Sequence, residues 1–237
     1  MYKVSNLLKA GVHFGHAISK LNPKMKPYIL RKNKGIHIID LYKTIKKLCL
    51  SCNYLKKIAT SGKVVLFVGT KRQAKNIIAY YAKKINMPYI NERWLGGLLT
   101  NFSTIQKSIS KMKVIEKNKS LGLYNLISKK ERLLISRVHS KLKKNLGTVS
   151  QLQVLPDCII IVDINKEKPA VNEALKLGIP IVGIADTNSN PDKINFPIPG
   201  NDDNSKSINL ILYYISNALE IGIDLYLKNK KKYYAKS

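Results

Sequence analysis

The chain has 237 residues with 45% hydrophobic content, enough for a substantial core, which excludes a disordered tail protein. Its 42 Lys and Arg against 14 Asp and Glu give a formal charge of +28, a self-repulsion that a polyanionic partner would relieve. Nucleic acid is favoured over a membrane surface, because neither a run of about 18 apolar residues nor a lipidation motif is evident.

The charge is uneven along the chain. Residues 1–150 hold 32 basic and 4 acidic side chains, a net +28, whereas residues 151–237 hold 10 of each. The nucleic-acid surface is therefore expected mainly from the first 150 residues. Three cysteines, Cys49, Cys52 and Cys158, make no disulfide framework and point to a reducing compartment. Lys dominates Arg, and Ile, Asn and Tyr are abundant, the residue bias of an AT-rich genome.

Taken in chain order, the first residues run at once into patterned sequence with no signal core or Arg- and Ser-rich leader, so no import signal is expected. His13 and His16 follow, spaced H-x2-H. The segment at residues 20–35 mixes prolines, Tyr28 and the cations Lys20, Lys24, Lys26, Arg31, Lys32 and Lys34 without helical periodicity. It reads as a proline-stiffened loop presenting cations to phosphates, against the plainer reading of a solvated loop. Leu41, Ile45, Leu48, Cys52, Leu55 and Ile58 then form one helical stripe, with Asp40 as N-cap.

Val64 to Val68 is an unbroken apolar run, as expected of a strand buried on both faces, and Ala74, Ile78, Tyr81 and Ile85 predict a helix after it. The turn between them, VGTKRQA, has a strand, Gly69 and a helix start, the way phosphate sites begin. It lacks the further glycines of dinucleotide and P-loop motifs, so a plain turn is favoured, with Lys71 and Arg72 available to an RNA phosphate. Arg93-Trp94-Leu95-Gly96-Gly97 holds the only Trp beside a cation, and core packing or base stacking are both open to it.

Residues 101–146 carry two helical patterns in succession, which predicts a helical hairpin projecting from an α/β core. Phe102, Ile105, Ile109, Met112 and Ile115 make one side of its seam, and Leu134, Val138 and Leu142 the other. Lys107, Lys111, Lys113, Lys117, Lys129, Lys130, Arg132, Arg137, Lys141, Lys143 and Lys144 occupy outer positions. Further strands are predicted at residues 158–162 and 181–184, with helices carrying Ala170, Ala174 and Leu175 and then Ile208, Ile211, Ile215 and Leu219. The recurring order implies a largely parallel sheet. A basic flexible tail is expected at residues 228–237, after a discontinuous core domain of residues 1–100 and 147–227.

Two chemistries compete with this reading. Asp163 and Asp186 end strands, where α/β enzymes place carboxylates, yet no nucleophile, base and oxyanion constellation accompanies them, and both suit turn capping. His13, His16, Cys49 and Cys52 offer four zinc ligand types, but Cys52 lies on an apolar helix stripe and no knuckle loop separates the cysteines. Neither a cofactor nor a metal is therefore expected, and a nucleotide-binding α/β enzyme is the runner-up.

The motifs LLKAGVHFGH at residues 7–16, LNPKMKPYI at 21–29, GIHIIDL at 35–41, FVGTKRQA at 67–74 and RWLGGLLTNFSTI at 93–105 make the chain resemble the S-two family, the second protein of the small ribosomal subunit. LPDCIIIVD at residues 155–163, LGIPIVGIADTNSNPD at 177–192 and IPGNDD at 198–203 continue the resemblance in the family's order. The resemblance implies a flavodoxin-like three-layer core with a protruding α-helical coiled-coil hairpin, bound to small-subunit rRNA at the head-body junction. It implies a structural protein of translation, with neighbouring small-subunit proteins as partners, the first small-subunit protein among them, and no membrane, small-molecule substrate or catalysis. The resemblance carries over His13, His16, Asn22, Lys24, Lys26, Lys71, Arg72, Arg93 and Trp94 as rRNA-binding candidates, and the charge pattern adds Arg31, Lys32, Lys34, Lys107 and Lys111. Leu146-Gly147-Thr148 departs from the two glycines many members have after the hairpin. SLGLYNLISKKE at residues 120–131 looks more like plastid members, so a chloroplast ribosome and an organelle-encoded chain are expected, with the bacterial cytoplasm as the alternative.

Overall fold

The computed structural model describes residues 2–234, apart from the side chains at 125–126 and 231–234. Its centre is a five-stranded parallel sheet in the order β5-β4-β6-β7-β8. The three apolar runs become β4 (Val65–Val68), β6 (Cys158–Val162) and β7 (Ile181–Ala185), and every residue in them is buried. Period-two alternation divides β4 between two cores. Val65 and Phe67 join one with Leu48, Leu55, Ile211 and Ile215, while Leu66 and Val68 join the other with Trp94, Leu98, Ile109 and Ala174.

The edge strands were not legible. β5 (Tyr89–Ile90) has two residues, and β8 (Phe196–Pro199) carries Pro197 and Pro199, which ordinarily argue against a strand. At a sheet edge a missing N–H leaves only one neighbour to satisfy, so proline is tolerated there.

Helices cover both faces. On one side lie α1 (Val4–Lys9), α2 (Leu41–Thr60), α3 (Lys75–Lys84) and α7 (Ser205–Tyr234). Asp40 caps α2 as expected, its Oδ1 accepting from the Tyr42 N–H at 2.9 Å. α2 and α7 approach closely at Gly222, where a Cβ would stand 2.6 Å from both Ala59 Cβ and Lys56 O. On the other side lie α6 (Lys168–Lys176), the Trp94 segment and the base of the pair α4 (Phe102–Ser120) and α5 (Lys129–Leu146).

Three expectations need correction. Residues 20–35 are not a loop: a 3-10 helix (Pro23–Tyr28) leads into β2 (Ile29–Asn33) and β3 (Ile36–Ile39), which form a small antiparallel sheet with β1 (Phe14–Ala17). Lys34 and Gly35 form its two-residue turn with φ of 44° and 80°, the left-handed pair that matches hairpin twist. Short, exposed, cation-rich strands lack the apolar alternation that would reveal them.

The seam of α4 and α5 is also set differently. Ile109 and Met112 are buried, but Leu134 and Val138 are 53% and 42% exposed, and α5 instead turns Ile135, His139, Leu142 and Leu146 inward. The two candidate stripes differ by one residue, a rotation of about 100° that spacing alone does not resolve. The expected flexible tail is helical as far as it is described, since α7 continues to Tyr234; Lys236 lies outside the described residues.

α7 also meets the length and composition of a membrane span over Ser205–Lys230, at a mean hydropathy of 1.3, where no such stretch was expected from sequence. Ile208, Ile211, Leu212, Ile215 and Leu219 are each fully buried against α2 and the sheet, which makes it a core helix of the α/β layer.

Candidate nucleic-acid interface

The expected RNA residues separate into two groups once their surroundings are seen. Lys24, Lys26, Arg31, Lys32, Lys34, Arg72, Arg93, Lys107 and Lys111 are exposed. β2 and its tight turn hold three of these cations on one rigid element, and Lys107 and Lys111 lie one turn apart on α4. Lys24 is partly engaged by an ion pair with Asp192, and the half-buried Asn22 caps the 3-10 helix by accepting from the Lys24 N–H at 3.1 Å. Rigid presentation lowers the ordering cost of meeting a phosphate.

The second group is turned inward, contrary to expectation. Lys71 Nζ lies 2.6 Å from Asp202 and Asp203 and 3.2 Å from Asp163, with its side chain only 13% exposed. Burial works against its charge, but the bonds to Asp202 and Asp203 prevail and raise its pKa. It is spent inside the protein rather than offered to a phosphate. His16 Nδ1 sits 3.1 Å from Asp186 and Nε2 3.3 Å from Asp203, and the Asp186 partnership outweighs burial to raise the imidazole's pKa. His13 packs against Phe14 in a tilted arrangement with ring centres 4.0 Å apart, and burial lowers its pKa.

Trp94 is 7% exposed and donates its indole N–H to Glu173 Oε1 at 2.9 Å, so it belongs to the core. Glu173 organises the whole turn. It also accepts the backbone N–H groups of Gly97, Leu99 and Thr100 at 2.8, 2.9 and 3.1 Å, which together overcome its burial and lower its pKa. Sequence reasoning missed this residue. The available signal was a carboxylate three positions after Ala170, on the buried stripe of its helix.

The enzyme-like features resolve in the same way. The Thr70 N–H and hydroxyl at the Gly69 turn both donate to Glu167 Oε1, at 2.8 and 2.7 Å, so a carboxylate of the chain itself fills the place of a nucleotide phosphate. Gly69 serves packing, because a Cβ there would stand 2.2 Å from Ile78 Cδ1. Asp163, at a φ of 66°, caps its turn by accepting from the N–H groups of Asn165 and Lys166.

The four zinc ligand types do not converge. Cys52 is buried beside Tyr214 and burial pushes its thiol up to about 11, which suits core packing and not metal binding. His16 instead joins Asp186, Asp202 and Asp203, each offering one ligand atom within 4.8 Å of the others. Lys71 and His16 already pair with these carboxylates, so the cluster is a network of internal ion pairs. Burial, followed by repulsion from Asp163 and Asp186, pushes Asp202 up to about 7.

Comparison with known proteins identifies the family. A family model described as Ribosomal protein S2 matches residues 7–222. The small ribosomal subunit protein uS2 of Karelsulcia muelleri is 57% identical over 219 residues, covering 92% of this chain and 99% of that protein. Its namesakes in Flavobacterium johnsoniae and Azobacteroides pseudotrichonymphae are 51% and 48% identical, over 93% and 98% of this chain and 87% and 91% of theirs. The chain therefore belongs to the ribosomal protein S2 family.

Proposed function

We propose that this chain is a structural, non-enzymatic constituent of the small ribosomal subunit that holds small-subunit rRNA at the head-body junction. Family membership along residues 7–222 carries the reading. The exposed cations of β2, its turn, Arg72, Arg93 and the outer face of α4 support rRNA contact through phosphates. Exposed Leu8, Phe14, Leu30 and Tyr42 around the small sheet are apolar surface suited to a protein neighbour, the first small-subunit protein among the candidates. The domain division that goes with this reading is an α/β core of residues 1–100 and 147–227 with the helical pair of residues 101–146 as an RNA-facing arm.

These relatives are bacterial, so nothing in them supports a chloroplast ribosome, and the bacterial cytoplasm is the location we adopt. Comigration with small subunits on a sucrose gradient tests the function; a protein that stays at the top of the gradient in its own cell extract would defeat it. Binding to small-subunit rRNA is expected to weaken steeply with salt as counterions are released, and a salt-independent affinity would overturn the phosphate mechanism.

A further inference from the structure

A cavity of about 370 Å³ opens between α4 and α5 near their connecting turn, within the about 300–1,000 Å³ range of small-ligand sites. We propose that it receives a single unstacked base of the bound RNA. Ile115 and Ile135 give it apolar walls suited to a base's face. Tyr124 adds an aromatic wall whose orientation is fixed, since its hydroxyl donates to the Ile115 carbonyl at 3.1 Å.

Polar groups stand where a base presents its edge and its backbone. Ser136 and His139 line the cavity, and His139 is held by Glu116, with Nε2 3.1 Å from Oε1. The exposed cations Lys119 and Arg132 also line it, placed to meet the phosphates on either side of an inserted nucleotide. Gly122, at a φ of 70°, makes the left-handed turn beside the cavity. The surrounding residues 101–146 carry 12 Lys and Arg against two acids, so an anionic strand is the complementary occupant. Base edges of an A-form duplex are out of reach of such a cavity, which restricts the target to a bulge, loop or strand end.

The inference rests on the reading that this arm faces rRNA, and the test separates the two. Full-length protein bound to small-subunit rRNA is irradiated with ultraviolet light, and the cross-linked peptides are mapped by mass spectrometry. A nucleotide adduct on Tyr124 or His139 is expected. Ser136→Phe, at an exposed helix position, fills the cavity without changing charge; it is expected to remove the adduct and weaken binding roughly tenfold, the scale of one base stack, with the salt dependence unchanged. Ser136→Ala removes one polar edge contact but leaves the cavity open, so it is expected to retain the adduct and to lose distinctly less affinity than the Phe variant, and circular dichroism establishes that each variant is folded; Ser136→Leu replaces the Phe variant if that one is not. A wild-type complex that forms at low salt without any adduct at the cavity, and is indifferent to the plug, overturns the base site and leaves rRNA binding standing. Absence of any wild-type complex overturns both.

Discussion

The carboxyl edge of the parallel sheet and the β2 to β3 hairpin both take lysines from the basic half of the chain, and they use them in opposite ways. Lys71 at the sheet edge is enclosed by Asp163, Asp202 and Asp203, whereas Arg31, Lys32 and Lys34 on the hairpin stand in solvent. The carboxylates that enclose Lys71 and His16 come from the half whose formal charge is zero. That half therefore acts on the charge of the other despite summing to zero itself. Its acids fold back to neutralise selected cations, and other cations stay exposed, those that the proposed function assigns to RNA.

The comparison is broken most severely at Lys71. Lys71→Met leaves buried carboxylates without their counter-charge, and a loss of about 3–5 kcal/mol in urea unfolding at pH 8 is expected. Because Asp202's folded pKa is raised to about 7, its protonated form favours the fold. That contribution is fully present below the ordinary aspartate value of 3.8 and is lost progressively as pH rises to about 7, so at pH 5.5 it is partly restored and the variant's deficit should shrink there. An equal deficit at both pH values would contradict the enclosure.

Next in size is Glu173. Glu173→Ala strands the Trp94 indole N–H and three backbone donors, costing about 2–3 kcal/mol. Trp94 is the only tryptophan, so its fluorescence reports the loosened turn directly. Since Glu173's folded pKa is lowered, its stabilisation holds above the ordinary glutamate range and is lost as pH falls through that lower value. The acid transition of Trp94 emission in the native protein should accordingly lie below pH 4.5.

Gly222→Ala forces a methyl into Ala59 and the Lys56 carbonyl, and about 1–2 kcal/mol of stability is expected to go, read as a lowered Tm. The smallest effect on stability belongs to the hairpin. Replacing Arg31, Lys32 and Lys34 together by Ala should change unfolding by under about 0.5 kcal/mol. The same triple variant should weaken rRNA binding in a filter assay and flatten its salt dependence, by about 0.7–0.9 in slope for each phosphate no longer neutralised. An unchanged slope would remove the hairpin from the interface.

Much of the fold was legible because burial on both faces demands unbroken apolar runs, as in Cys158–Val162, and helices on a sheet demand stripes such as Leu41 to Ile58. The edge strand Phe196–Pro199 and the small sheet escaped, since prolines and exposed cations leave no alternation to read. The site was less legible. Lys71 and Lys32 are chemically the same residue, and only contacts more than 90 positions away distinguish Lys71, with Asp202 at a separation of 131.

The sequence by itself determined the α/β class, the family, the two successive helices within residues 101–146 and the confinement of excess charge to residues 1–150, because periodicity, motif order and composition are local properties of the chain. Only the tertiary structure decided which cations are turned inward, that Trp94 is held by Glu173, that His16 pairs with Asp186 and Asp203, and how α5 is rotated against α4. Those outcomes depend on long-range packing, which brings distant carboxylates within 2.6 to 3.3 Å of particular cations and leaves other cations alone.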